Sequence, residues 1–435
     1  MSAHQDLGTR TLSKIAWRLI PFMTLLYFVA FLDRVNIGFA ALTMNADLGL
    51  TPRMFGFASG IFFIGYVMFE VPSNIIMERV GARLWIARIM VSWGLLSAGT
   101  AFVSSPTGLY VLRFLLGVAE AGFFPGMILY LTYWFPAASR ARILSAFMVA
   151  LPISNVIGSP VSTAMLSMDA YGLHGWQWMF LIEGIPAVLC GVAVLVFLRD
   201  GPTKAAWLTD DERNWLQSEL ARERAVHGTA ARSSLAALRE PRVWFFGLIY
   251  FGMLVGMYGF GFWLPQIVKG LGNLSNFEVG LTTALPYAAA ALTMYLWGRH
   301  SDRTGERVWH IALPTFVGAV GLALSAYWGG TPALALAALT LSAMGCYASL
   351  PVFWTLPTSM LATGAAAAGI ALVNSIGNTG GFFGPTLVGY VTDATGSYAA
   401  ALWTLAVFVA LSGVAVLALA PRSRALVTTS ESPPP

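Results

Sequence analysis

Apolar runs of about twenty residues, each long enough to cross a bilayer as a helix, recur along this chain and leave room for one kind of architecture. They read as spans near 17–41, 54–77, 84–104, 108–133, 142–165, 177–198, 243–268, 279–298, 309–329, 332–357, 366–391 and 398–420. Within hydrocarbon every backbone N–H and C=O must be satisfied inside the segment, so runs of this length are helices. The expected fold class is all-α integral membrane, with 12 transmembrane helices. Composition agrees: 57% of the 435 residues are hydrophobic and 10% charged, where soluble domains carry about 25% charge. The first run is too long for a signal peptide and lacks a small-residue cleavage site, so it is expected to stay in the membrane.

The charges fix an orientation. With both termini cytoplasmic, 21 of the 25 Lys and Arg fall on the cytoplasmic side, Arg53 and Lys269 fall outside, and Arg34 and Arg113 lie within spans. That asymmetry is what the positive-inside rule demands, and it accounts for the net charge of +5 without nucleic acid. Cys190 and Cys346 both sit in apolar runs, so neither a disulfide framework nor a metal cluster is indicated. None of the five histidines lies mid-span, which leaves a membrane enzyme without a His-based site at that depth.

The only long polar stretch runs from Arg199 to Arg242 and divides the chain. The expected parts are a six-helix bundle at 1–198, a cytoplasmic linker with an amphipathic helix at 199–242, a second six-helix bundle at 243–420 and a cytoplasmic tail at 421–435. Thr209 with Glu212 resembles a capping box at the start of the linker helix. The two halves repeat. Asn74, Glu78, Arg79, Gly81 and Arg83 stand 224 residues before Gly298, Asp302, Arg303, Gly305 and Arg307. Two parallel halves of this kind suit a rocker with a binding site near the membrane midplane.

Charges inside spans are costly, at least about 2.5–3.5 kcal/mol each on insertion scales, and so face a protein interior or a watery path. Asp33 and Arg34 stand side by side in the first span, and Arg113 and Glu120 lie seven residues apart on nearly one face of the fourth. Counted by helical rise, Asp33 falls between Arg113 and Glu120 in depth, so one half assembles two acids and two guanidiniums at a shared level. A lone pair could be structural mortar; four such groups point to function. Pro125 is expected to kink the fourth span.

The 224-residue offset carries Asp33, Arg113 and Glu120 onto Met257, Ala337 and Met344, so charge is confined to the first half. The second half offers neutral groups: Tyr258, Gln266, Trp354, Asn374 and Asn378. Each is a candidate ligand contact or a helix–helix hydrogen bond. Tyr66 can reach the Asp33–Arg34 level or simply pack, and Glu70 and Glu183, nearer the membrane faces, read as structural or gate pairs. Glycine-rich stretches at Gly252–Gly261 and Gly377–Gly384 fit either tight packing or helices that bend.

The repeated loop resembles the G-x3-D-R-x-G-x-R/K signature of the major facilitator superfamily, with Asn74 and Glu78 departing from it in the first copy. In that superfamily these loops hold the outward-facing state, which implies gating roles for Glu78, Arg79, Arg83, Asp302, Arg303 and Arg307. Leu32-Asp33-Arg34-Val35-Asn36-Ile37, Phe69-Glu70-Val71-Pro72-Ser73-Asn74, Arg113 to Pro125 and Trp178 to Gly184 are together similar to the anion:cation symporter family, with its bacterial permeases for tartrate, sugar acids, phthalate and hydroxyphenylacetate. The resemblance implies H+-coupled import of an organic anion across the bacterial inner membrane. On its pattern Asp33 and Glu120 handle protons, Arg34 and Arg113 pair with acid or substrate, and Tyr66, Trp354 and Asn374 line the cavity. The family often has an arginine where this chain has Gln177.

A hydroxylated dicarboxylate such as tartrate fits two arginines and several neutral polar groups. An aromatic carboxylate, or exchange of one anion for another, stays open. No cofactor is expected beyond the proton gradient, and the expected partners are the anion, H+ and the bilayer, with the protein a monomer. A sensor is disfavoured because the cytoplasmic linker is too short for an output domain.

Overall fold

The computed structural model describes residues 3–136, 139, 143, 150–227, 239–360 and 366–419. Among them the secondary structure is helical, with one isolated β-bridge between Ala170 and Leu173. Ten helical segments are long and apolar enough to cross a membrane. Two further helices, Ala150–Met165 and Ala366–Thr395, coincide with the fifth and eleventh runs, while the tail expected at 421–435 lies outside the described residues.

The chain forms two units, Met1–Gly49 with Ile61–Arg232, and Leu50–Gly60 with Ser233–Pro435. The first holds α1 (Ala3–Asp47), most of α2 (Pro52–Val80), α3 (Ala82–Gly99), α4 (Pro106–Glu120), α5 (Phe123–Thr132), α6 (Ala150–Met165), α7 (Gly175–Phe197) and α8 (Asp210–His227). In it α3 packs along α7, and α1 lies against α6 and α7. Contact between α3 and α7 is close because neither has a side chain where they meet: a Cβ on Gly94 or Gly184 would come within 2.8 or 2.7 Å of the other's carbonyl oxygen. The linker helix α8 is capped as expected, with Thr209 N–H donating to Glu212 Oε2 at 2.9 Å. It docks on α1, where Lys14 pairs with Glu212 at 2.7 Å.

The second unit holds α9 (Pro241–Gly270), α10 (Asn276–Thr304), α11 (Val308–Tyr327), α12 (Pro332–Phe353), the short α13 (Thr355–Met360), α14 (Ala366–Thr395) and α15 (Tyr398–Leu417). Here α9 packs along α14, and α11 lies against α12 and α15. The glycines of α9 and α14 seat neighbours: a Cβ on Gly380 would meet the Phe251 carbonyl oxygen at 2.5 Å, and one on Gly259 the Leu405 side chain at 2.7 Å. The start of α2 groups with this unit for the same reason, since a Cβ on Gly56 would meet the Pro385 carbonyl at 2.5 Å. The sequence repeat is visible in the helices. The 224-residue offset carries α2 onto α10 from first residue to last, and each then turns through a glycine of positive φ, Gly81 at 97° and Gly305 at 69°.

The fourth run departs from expectation. It is broken into α4 and α5, and the break lies at Ala121 and left-handed Gly122 (φ 85°) rather than at Pro125. Pro125 sits in the first turn of α5, where its missing N–H leaves no hydrogen bond unmade. The freed Ala121 carbonyl accepts from Ser73 Oγ at 2.6 Å, and Ser73 in turn accepts from Trp85 Nε1 at 2.9 Å.

Candidate functional site

Asp33 and Arg34 are adjacent in sequence but diverge in space, because successive side chains on a helix point about 100° apart. Asp33 turns toward α3 and accepts hydrogen bonds from Trp93 Nε1 and Ser97 Oγ, with a third from Asn36 Nδ2 at 3.1 Å. Arg34 turns toward α4 and pairs with Glu120, the last residue of that helix. Asp33, Arg113 and Glu120 are at most 1% exposed and Arg34 is 8% exposed, so all four charges are withdrawn from solvent. The four act on one another, with Arg113 attracted to both Asp33 and Glu120 and repelled by Arg34.

Aromatic faces complete the setting. The Arg34 guanidinium carbon lies 5.0 Å from the Phe31 ring centroid, 5.4 Å from Tyr66 and 5.5 Å from Phe62. Arg113 lies 5.1 Å from Phe62 as well, so one ring faces two cations. Such contacts contribute about 0.5–2 kcal/mol each, and they let a guanidinium change hydrogen-bond partners without becoming bare. The α2–α4 approach that places Phe62 needs Gly117, where a Cβ would collide with the Phe62 carbonyl oxygen.

Asp33, Arg34, Tyr66, Arg113 and Glu120 are thus brought together within the first unit. Sequence reasoning missed Trp93 and Ser97, one helical turn apart on α3 and unremarkable in an apolar span. Glu183, expected nearer a membrane face, is 2% exposed; its Oε1 accepts from Ser162 Oγ at 2.5 Å and the charge of Asp33 acts on it, so it is enclosed within the first unit. Gln177 makes hydrogen bonds, donating to the Ala101 carbonyl at 2.6 Å and accepting from His174 N–H at 2.8 Å.

In the second unit Trp354 stands at the end of α12, edge-on to Tyr250 with centroids 4.9 Å apart, and Tyr250 stacks on Phe353 at 5.0 Å. Gly377 on α14 makes room for Tyr250, which puts Asn374 and Asn378 on the helix that flanks this aromatic group. Tyr258, stacked on Phe262 at 5.9 Å, and Gln266 follow farther along α9.

The two repeated loops differ in their contacts. In the first, Arg83 donates to the Leu195 carbonyl at the end of α7 and its N–H reaches Asp200 at 3.3 Å, while Glu78 and Arg79 are exposed. In the second, Arg307 bridges Asp302 at 2.8 Å and Ser301 at 2.9 Å, and Arg303 is exposed.

The sequence profile of the Major Facilitator Superfamily matches residues 23–385 and 273–434. Two proteins of Agrobacterium vitis, each named "Putative tartrate transporter", are 53% identical over 98% of this chain and 94% of theirs, and 54% identical over 96% of both. The inner membrane transport protein RhmT of Escherichia coli (strain K12) is 41% identical over 92% of this chain and 93% of its own. Among solved structures, a bacterial homologue of the human lysosomal transporter Spinster covers 93% of this chain and 96% of its own at 16% identity with a TM-score of 0.75. A D-xylose–proton symporter covers 92% and 97% at 17% identity with a TM-score of 0.73. A profile match across nearly all the described residues, close relatives over the full length and a shared helical fold lead to one assignment: the chain belongs to the Major Facilitator Superfamily of membrane transporters.

Proposed function

We propose that this protein is a secondary active transporter of the bacterial inner membrane, importing a hydroxylated dicarboxylate of the tartrate type together with H+ by alternating access. Twelve spanning helices with both termini cytoplasmic are part of this reading. The observation that carries it is the buried Arg34–Glu120 pair, set among aromatic faces with Arg113 and Asp33 beside it. The names of the Agrobacterium vitis relatives support the substrate class, and that of RhmT the membrane.

The chemistry follows from pairing. A substrate carboxylate that binds Arg34 competes with Glu120 for the same guanidinium. Glu120 then holds a buried negative charge without its partner, and taking a proton removes that charge. Arg113 supplies a second cation for a dicarboxylate, and Asp33 a second acid. The neutral groups Tyr258, Gln266, Trp354, Asn374 and Asn378 are assigned to the substrate's hydroxyl and carboxylate oxygens, with Tyr66 holding Arg34 in place. The Glu78–Arg83 and Asp302–Arg307 loops are assigned to gating.

The test is uptake of labelled tartrate into liposomes holding the purified protein, with the outer pH lowered. Accumulation is expected only with the inward proton gradient. Glu120→Gln should lose that accumulation and keep counterflow against unlabelled tartrate. Uptake indifferent to the gradient and dependent on internal anion would replace symport with exchange.

A further inference from the structure

Asp33, Glu120 and Glu183 are buried in the first unit with the guanidiniums of Arg34 and Arg113, and among the described residues Glu183 has no cation to balance it. Glu120 is paired with Arg34, and the charge of Arg113 acts on Asp33. Asp33 also receives three hydrogen bonds, from Trp93, Ser97 and Asn36. Glu183 receives one, from Ser162, and its Oε2 has no partner in hydrogen-bonding geometry among the described residues.

The helices packed along α7 bear this out. Helix α1 presents Asn36, near enough to polarise it, and Asp33, whose charge repels it. Helix α6 presents Ser162. Helix α3 presents Gly94 and Ala98, which close over Gly184 at backbone contact and exclude water from that side. Among the described residues no cation acts on Glu183. An isolated carboxylate in such a place would cost many kcal/mol, and a group so placed neutralises by taking a proton.

From this juxtaposition we infer that Glu183 is a third proton-holding acid, neutral in the substrate-free protein, whose proton and the charge on Asp33 are linked through the Asn36 side chain between them. When Asp33 is ionised, Glu183 keeps its proton, because a second negative charge beside the first has nothing to balance it. When Asp33 is neutralised, that repulsion vanishes and Glu183 holds its proton less tightly. The consequence for transport rests on the symport reading: the number of protons carried per anion depends on Glu183 as well as on Glu120 and Asp33.

Infrared difference spectroscopy of the full-length protein in lipid tests the assignment without transport. A carbonyl stretching band of a protonated carboxyl is expected at neutral pH in the substrate-free protein and absent in Glu183→Gln, whose amide has the shape of the neutral acid. Ser162→Ala, which removes the hydrogen bond to Oε1, should shift the same band to higher frequency. A band unaltered in both variants would overturn the proposal, as would its absence from the wild type. In liposomes, Glu183→Gln should lower the ratio of protons to tartrate taken up while tartrate counterflow persists, and an unchanged ratio would remove Glu183 from coupling. Should tartrate not be carried at all, the substrate reading fails and the infrared result still decides the state of Glu183.

Discussion

Removing one partner of the Arg34–Glu120 pair should destabilise the protein far more than removing both. In Glu120→Ala the guanidinium of Arg34 stays where it is, 8% exposed, with Arg113 as a second cation and only Asp33 left to balance the two. Breaking a buried pair in this way costs about 3–5 kcal/mol. At about 2–4 °C per kcal/mol for a unit of this size, the apparent Tm should fall by roughly 6–20 °C. The double variant Arg34→Met with Glu120→Leu leaves Asp33 and Arg113 to balance each other and fills similar volume, so it should lie within about 2 kcal/mol of wild type. Thermal unfolding in detergent at one fixed scan rate, followed by near-ultraviolet circular dichroism, reads both. A Glu120→Ala Tm within about 2 °C of wild type would refute a formed pair. A double variant less stable than either single one would refute the charge argument. Neither variant should transport, so the comparison separates folding from function.

Other consequences are local. Gly117→Ala puts a methyl group against the Phe62 carbonyl and should cost about 1–3 kcal/mol, with lowered anion affinity in a binding assay because Phe62 faces both guanidiniums. Gly305→Ala forces a side chain into the left-handed region and should lower stability by about 1–2 kcal/mol, and Gly81→Ala, at φ 97° and ψ 141°, by about 1–3 kcal/mol, both read from the Tm. Burial pushes the Glu212 carboxyl up, but hydrogen bonds from Lys14 and Thr209 outweigh it and hold its pKa below the usual 4.5. A lowered carboxylate stabilises the fold above its unfolded value and loses that contribution as pH falls through the folded one. The α8–α1 contact should therefore loosen below about pH 4.5, seen as faster proteolysis of the linker, and Lys14→Ala should show the same loosening at neutral pH. Glu306 accepts from the N–H groups of Trp309 and His310 at the start of α11, so Glu306→Ala should lower the Tm by the equivalent of about 0.5–2 kcal/mol.

Much of this architecture was legible because a bilayer imposes strong rules. Run length identified the spans, and the repeated loop identified the family, since a glycine at a forced turn and an acid three residues before it must recur in both copies. The grouping of Arg113 with Glu120 followed from a spacing of seven residues, and their level with Asp33 from helical rise alone. Rotation about the helix axis was not legible. Depth says nothing of whether Asp33 or Arg34 faces α4, and the answer depends on the α1 neighbours Trp93 and Ser97, ordinary residues for an apolar span. The break after Glu120 was assigned to Pro125 because proline is the commoner cause, whereas Gly122 takes the left-handed turn and Ser73, distant in sequence, satisfies the freed carbonyl. The enclosure of Glu183 was not legible either, since it depends on Gly94 and Gly184 bringing α3 and α7 together.

The central claim is that anion entry carries protons through the buried acids of the first unit. The most direct measurement is the inner pH of liposomes containing the protein, followed with a trapped dye as tartrate is added outside with no gradient imposed. The account predicts acidification that begins with tartrate entry, stops when the anion is removed and is absent in Glu120→Gln. Tartrate entering with no change of inner pH would contradict it.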